Sequence, residues 1–188
     1  MMKRIAIFAS GEGTNAENIY KYFEGSKSIS VVLLLTNNKK AGVLKKFNSF
    51  DLDRVVFSKN QMNYSTLLEE RLLKHSVDLI VLAGFLFKIP QKIIDLYENR
   101  IINVHPSLLP KYGGRGMYGL NVHKTVLENK ERESGITFHY VNEGYDEGEI
   151  IHQEKCVVTS DETPFSLQHK IKCLEKEIFP KIIEKLLK

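Results

Sequence analysis

One apolar run in this chain carries an amide and an imidazole on the same face. In Ile101-Ile102-Asn103-Val104-His105-Pro106-Ser107-Leu108-Leu109-Pro110, Asn103 and His105 are two positions apart, and strand alternation sends such residues to one side. Pro106 donates no ladder hydrogen bond and biases His105 towards extended geometry, so the strand is expected to end there with both polar side chains at its carboxyl end. Open α/β sheets bind ligands at that end. About forty residues on, Asn142-Glu143-Gly144-Tyr145-Asp146-Glu147-Gly148 sets a carboxylate between two glycines, the pattern of a tight, shaped turn. An amide can donate to a developing oxyanion, an imidazole can carry a proton, and a carboxylate can orient and charge that imidazole. Each residue alone is unremarkable, since a single His is more often structural than catalytic and an Asp in a glycine-rich turn commonly serves the turn. Their combination is the stronger signal.

A second candidate lies near the amino terminus, in Gly11-Glu12-Gly13-Thr14-Asn15-Ala16. The spacing fits a dinucleotide-binding turn between a first strand and a first helix. The next strand ends in Thr36-Asn37-Asn38-Lys39-Lys40, with no acidic residue to hold an adenosine ribose. Lys39 and Lys40 can accept a 2'-phosphate, so a phosphorylated dinucleotide stays open. A monophosphate requires only glycines that let the backbone approach and N–H groups converging at a helix amino terminus, which Gly13, Thr14 and Asn15 supply. A tight turn without any ligand is the third reading.

The elements that must position these groups alternate along the chain. Short apolar strands are expected over Arg4–Ala9, Ser30–Thr36, Arg54–Phe57, Val77–Leu82 and Ile101–His105, each followed by a helical or loop–helix segment. Thr14 to Glu17 has capping-box spacing, which predicts a helix from there to about Glu24. Pro90 fits the first turn of a helix ending near Asn99. After a glycine-rich loop from Lys111 to Gly119, which reads as a connection or as a lid, Asn121–Asn129 is expected to be helical. Gly135–Val141 and Glu149–Val158 then read as two antiparallel strands. Thr163-Pro164 opens a last helix in which Leu167, Ile171, Leu174, Ile178, Ile182 and Leu186 recur at helical spacing. The fold class is α/β: a Rossmann-like, mostly parallel twisted sheet with helices on both faces and an antiparallel carboxyl-terminal extension. One domain over residues 1–188 is expected.

Composition narrows the function classes. The chain is 43% hydrophobic and 27% charged, ordinary for a globular protein. Its net charge of +4 comes from scattered lysines and not from a basic stripe interleaved with aromatics, so no nucleic-acid partner is expected, while a positive field suits small anionic substrates. Cys156 and Cys173 lie far apart, and the six histidines form no ligand-type spacing, so no metal is expected. No apolar run approaches the ~20 residues that span a bilayer. The chain enters its first strand directly after Met-Met-Lys-Arg, and a cytoplasmic location is expected.

Asn-x-His-x-Ser-Leu-Leu-Pro followed by the Asp146 loop resembles the 10-formyltetrahydrofolate-dependent formyltransferases. Ile7 to Asn15 is similar to the phosphate loop of the members that act on glycinamide ribonucleotide, and Val81–Phe85 and Ile136–Val141 fall on similar segments. The resemblance runs from about Arg4 to about Pro180. It implies formyl transfer from 10-formyltetrahydrofolate, as co-substrate, to the amine of glycinamide ribonucleotide in purine synthesis, in a monomer or weak homodimer. It implies Asn103, His105 and Asp146 as the catalytic residues, and Gly13, Thr14, Asn15 and Glu175 as ribonucleotide contacts. Folate contacts are implied at Leu86, Phe87, Lys88 and Ile89, at Asn103, and at Asn142, Glu143, Gly144, Tyr145 and Asp146. Phe87 stands near where many members carry a basic residue, and Lys111–Gly119 is longer and richer in glycine than in many of them. A transferase for another amine, such as an amino-sugar nucleotide, would share the same trio. A nucleotide-binding regulatory module would need the Gly11 loop alone.

Overall fold

A computed structural model describes residues 1–188. Seven strands form one sheet: β1 (Lys3–Phe8), β2 (Ile29–Thr36), β3 (Asp53–Val56), β4 (Leu79–Leu82), β5 (Ile101–His105), β6 (Glu133–Tyr140) and β7 (Ile150–Val157). The helices are α1 (Thr14–Phe23), α2 (Gly42–Lys46), α3 (Lys59–Tyr64), α4 (Leu67–Lys74), α5 (Gln91–Leu96), α6 (Leu120–Glu128) and α7 (Pro164–Leu187). Strand order is β3-β2-β1-β4-β5-β6-β7. The first five strands are parallel, and β6 and β7 run antiparallel, as the alternation predicts.

The parallel strands read as unbroken apolar runs because both of their faces are covered. In β1, Ile5 and Ile7 join a core shared with α1, α6 and α7, whereas Ala6 and Phe8 join a second core built with α3, α4 and α5. Chain order reverses direction at β1, whose neighbours are β2 and β4. The crevice beyond the carboxyl ends of β1 and β4 is therefore the position where such sheets take ligands.

Three sequence expectations change in detail. The Thr14–Glu17 capping box does not form: Gly13 is the N-cap of α1, in a left-handed conformation (φ 71°), with no side-chain cap. Glu17 instead meets Lys21 and Lys46, each at 2.7 Å, a pairing that draws its carboxylate away from the helix start. On α7 the buried face includes Phe179 and Ile183, which the predicted stripe omits, while Leu174, Ile178 and Leu186 are only partly covered. Pro180 lies inside that helix. The turn around Asp146 is made by Asp146 itself, at φ 58°, a conformation that Asp tolerates better than most side chains. Gly148 is needed for close approach to backbone, whereas Gly144 faces only the mobile side chain of exposed Glu147. A Cβ on Gly148 would lie 1.8 Å from the Tyr140 carbonyl oxygen, and one on Gly144 would lie 2.4 Å from the Glu147 carboxylate.

Candidate active site

A cavity of about 640 Å³ opens at the carboxyl edge of the sheet, a size suited to a small organic ligand. It is built by the Gly11–Asn15 loop after β1, the Leu82–Ile89 segment after β4, the end of β5 and the Asn142–Asp146 loop after β6, and is flanked by the Gly114–Gly119 loop and by residues of α6 and α7. Of the residues predicted from the sequence, Gly13, Thr14, Asn15, Glu175, Leu86, Phe87, Lys88, Ile89, Asn103, His105, Asn142, Gly144, Tyr145 and Asp146 all line it. Glu143 does not; it is exposed on the outer side of its loop.

At the amino-terminal end, α1 begins without a capping side chain, so the N–H groups of its first turn keep their capacity to bind an anion. Gly13 could not be larger: a Cβ there would meet Val43 Cγ2 at 2.3 Å. Asn15 Nδ2 donates to Glu175 Oε2 at 2.7 Å, joining α1 to α7 across the cavity wall. Burial pushes the Glu175 carboxyl up, against the opposing pull of Asn15 and of the charges of Lys172 and His105. At the end of β2, Asn37 accepts from the Ser10 hydroxyl at 2.7 Å and Asn38 caps its own turn through Lys40 N at 2.9 Å. Both side chains at the usual ribose position of a dinucleotide are thus engaged with protein.

The opposite end is a closed polar network. Cross-strand pairing sets Asn103 against His139 and His105 against Thr137, so four polar side chains share one face of the antiparallel extension. The Nδ1–H of His139 donates to the Tyr140 carbonyl at 2.8 Å, which leaves Nε2 to accept from the Asn103 amide at 3.1 Å. Asn103 keeps a second amide N–H for a ligand. His105, 3% exposed, donates from Nε2 to the Tyr112 carbonyl at 2.7 Å, and its Nδ1 lies 3.3 Å from Asp146 Oδ2. With an acceptor at each nitrogen, only the doubly protonated ring donates to both.

Asp146 ties this network together. Its Oδ2 also accepts from Gly114 N at 2.9 Å, and its Oδ1 is 3.6 Å from His139 Nε2. Burial pushes this carboxyl up, but the hydrogen bond from His105, the His105 charge and the Gly114 N–H outweigh it and hold the group well below the usual carboxylate range. Asp146 is therefore an anion at neutral pH, facing the His105 ring at one oxygen and the His139 ring at the other. The Lys111–Gly119 loop is anchored at its start, where Lys111 Nζ and the Tyr112 hydroxyl both reach Glu131, at 2.7 and 2.8 Å. Burial and the Glu131 carboxylate push the Tyr112 hydroxyl up to about 12, so it remains a donor. Gly114 to Gly119 then line the cavity.

Two residues of the site carried no role from the sequence. His139 lay inside the apolar run Ile136–Val141, and alternation alone would have put it on the polar face. His123, on α6, also lines the cavity; nothing in its neighbours marked which way that helix would turn it. No group of three or more His, Cys, Asp or Glu side chains is placed to hold a metal ion, and no helix is long and apolar enough to cross a membrane.

Comparison with known proteins agrees with this geometry. The chloroplastic phosphoribosylglycinamide formyltransferase of Arabidopsis thaliana is 38% identical over 187 residues, covering 96% of this chain but 64% of its own length. The chain thus spans less than two thirds of that plant relative. The phosphoribosylglycinamide formyltransferase of Bacillus subtilis is 34% identical, covering 99% of this chain and 95% of its own. The crystal structure of phosphoribosylglycinamide formyltransferase from Bacillus halodurans superimposes with a TM-score of 0.87 at 32% identity, over 98% of this chain and 95% of that one. The sequence profile described as Formyl transferase matches residues 3–183, and the chain belongs to that family.

Proposed function

We propose that the protein transfers a formyl group from 10-formyltetrahydrofolate to the terminal amine of glycinamide ribonucleotide. The observation that carries this reading is that one cavity holds an uncapped helix start at one end and an amide–imidazole–carboxylate network at the other. The names of the Arabidopsis, Bacillus subtilis and Bacillus halodurans relatives support phosphoribosylglycinamide as the acceptor and formyl as the group transferred. The ribonucleotide phosphate sits at the α1 start, held by the Gly13, Thr14 and Asn15 backbone, with Glu175 accepting from its ribose. The folate lies between the Leu86–Ile89 segment and the Asn142–Asp146 loop. Apolar Leu86, Phe87, Ile89 and Val141 supply the flat contacts there, and Lys88, 5.6 Å from the Tyr145 ring centroid, borders the opening.

The chemistry follows from which groups are free. The uncharged amine attacks the formyl carbon, and negative charge develops on the formyl oxygen. The free amide N–H of Asn103 donates to that oxygen, a contact worth about 10²- to 10³-fold in rate. His105, whose two nitrogens face Asp146 and the Tyr112 carbonyl, adds positive charge beside it when both nitrogens carry a proton. His105 can also deliver its proton to the departing folate nitrogen once it gives up one acceptor. Asp146 relays the proton released by the amine, directly or through a water, to His105 as that ring gives its own to the folate nitrogen, so both groups return to their starting state and the proton count closes with the formylated amine and tetrahydrofolate as products. No covalent enzyme intermediate and no metal enter this scheme.

A turnover assay with both substrates tests the reading. Formation of tetrahydrofolate that requires glycinamide ribonucleotide is the expected result. Turnover with an amino-sugar nucleotide and none with glycinamide ribonucleotide would replace the acceptor. Calorimetric binding of NADPH at the Gly11 loop would overturn the assignment of that loop.

A further inference from the structure

His123 is a buried histidine of the cavity that the proposed chemistry leaves unused. It is 2% exposed, lies on α6, and lines the cavity beside Lys172 and Glu175 of α7. Its Nδ1 is sealed from solvent without any hydrogen-bond partner, so the nitrogen that can meet the cavity is Nε2. Buried polar groups are nearly always paired, and an unpaired one requires a reason. A buried lone pair without a partner is easier to tolerate than a buried N–H without one, which puts the single proton of the neutral ring on Nε2. Burial, together with the charges of Lys172 and His105, holds the ring down to about 4, so it is neutral near pH 7. A neutral N–H donor between two cations suits an oxygen acceptor and adds no third positive charge to the pocket.

Resting on the glycinamide ribonucleotide reading, we infer that His123 is a substrate-positioning residue. Its Nε2–H hydrogen-bonds an uncharged oxygen in the stretch of the ribonucleotide between phosphate and amine. The placement follows from the neighbours: Glu175 and Lys172 flank the ribose side and His105 the reacting side. The orphaned Nδ1 is then a stability cost retained because the other nitrogen is used by substrate.

This role makes stability and binding move in opposite directions. His123→Phe keeps the ring volume and removes both nitrogens. It should melt at or above the wild-type temperature, because an unpaired buried polar atom is gone, while the KM for glycinamide ribonucleotide rises about tenfold, the effect of one lost hydrogen bond. The KM for 10-formyltetrahydrofolate should stay within about twofold of wild type, since the lost contact lies on the other substrate. His123→Gln, whose Nε2 can occupy the same place, should recover most of the ribonucleotide KM. His123→Leu repeats the test should the aromatic ring crowd α7. A deoxyribose acceptor locates the oxygen: a KM unaffected by His123→Phe marks a ribose hydroxyl, and one raised as before marks the carbonyl. A folded Phe or Leu variant with a wild-type ribonucleotide KM overturns the inference, as does a fall in melting temperature with unchanged KM, the mark of a packing residue. Absence of wild-type turnover with glycinamide ribonucleotide would instead defeat the functional reading, and this one with it.

Discussion

The two ends of the cavity hold their polar groups in opposite states. At the α1 end the helix starts on a left-handed Gly13 with no capping side chain, so its donors are left for a ligand. At the β5–β6 end Asn103, His105 and Asp146 are already bonded to one another's neighbours, to His139, to the Tyr112 carbonyl and to Gly114 N. In the proposed reaction the first end meets charge that arrives ready-made on a substrate. In the same proposal the second meets charge that appears only during reaction, and His105 would exchange one protein acceptor for a substrate atom to take part. Substitutions should therefore split: those near α1 alter KM, and those in the network alter kcat.

The largest effect is expected at Asp146. Asp146→Asn keeps the side-chain size and tolerates the left-handed backbone, but removes the anion that both imidazoles face. Turnover should fall at least about 10²-fold, the range for lost acid–base assistance, with both KM values changing far less. Acid unfolding gives a second readout. The Asp146 carboxyl is depressed in the fold, so its stabilisation is complete above the ordinary value near 3.8 and is lost as pH falls below it. The Asn variant should lack that part of the acid transition. A folded variant with near-wild-type turnover would reduce Asp146 to a turn residue and dissolve the contrast between the two ends.

Glu175 tests the other end at intermediate size. Glu175→Gln preserves shape and can still accept from Asn15, but it loses the charged acceptor for a ribose hydroxyl. The ribonucleotide KM should rise about tenfold, as for one hydrogen bond to a charged group, with kcat and the folate KM nearly unchanged. Because burial pushes this carboxyl up, the wild-type ribonucleotide KM should begin to rise on acidification at a higher pH than an ordinary carboxylate would dictate. The Gln variant should lose that dependence. Steady-state kinetics across pH decides it, and a kcat effect in place of a KM effect would place Glu175 in the chemistry.

The contrast also separates what the sequence could and could not convey. Asn103 and His105 were legible because strand periodicity and Pro106 fix both their face and their end of the sheet, using only neighbouring residues. The parallel order was legible from apolar runs too continuous for a half-exposed strand. His139 was not, since its place opposite Asn103 depends on a β5–β6 register set across the whole loop and α6 between them. His123 depends in the same way on how α6 rolls against α7. The expected capping box failed because α1 starts one residue early, on the left-handed Gly13, which puts Thr14 inside the helix, while Glu17 pairs with Lys21 and with Lys46, 29 residues away. Glu143 was grouped with its loop, but the left-handed Asp146 turns that loop so that Asn142, Gly144 and Tyr145 reach the cavity and Glu143 points out. Local signals placed the Gly11 loop and the end of β5 at the cavity; the contacts that join them to their neighbours are tertiary.

The smallest expected effect concerns Glu12, an acidic residue inside the loop assigned to phosphate. It lines the cavity, and its carboxylate lies so close to Gly42 that a Cβ there would approach Oε2 to 2.5 Å. A fixed negative charge in an anion site opposes the ligand, but Glu12 is exposed, and solvent screens most of that repulsion. Glu12→Gln should therefore lower the ribonucleotide KM only about two- to threefold at low salt, within the range for exposed charge pairs, and by less as salt rises. kcat should not change, because the substitution acts on charge present before and during reaction alike. The salt series is the discriminating measurement. If Glu12→Gln raises the ribonucleotide KM at every ionic strength, the carboxylate is a needed support for the Gly42 backbone and not a tolerated repulsion. The α1 end would then be as dependent on internal bonding as the network around Asp146.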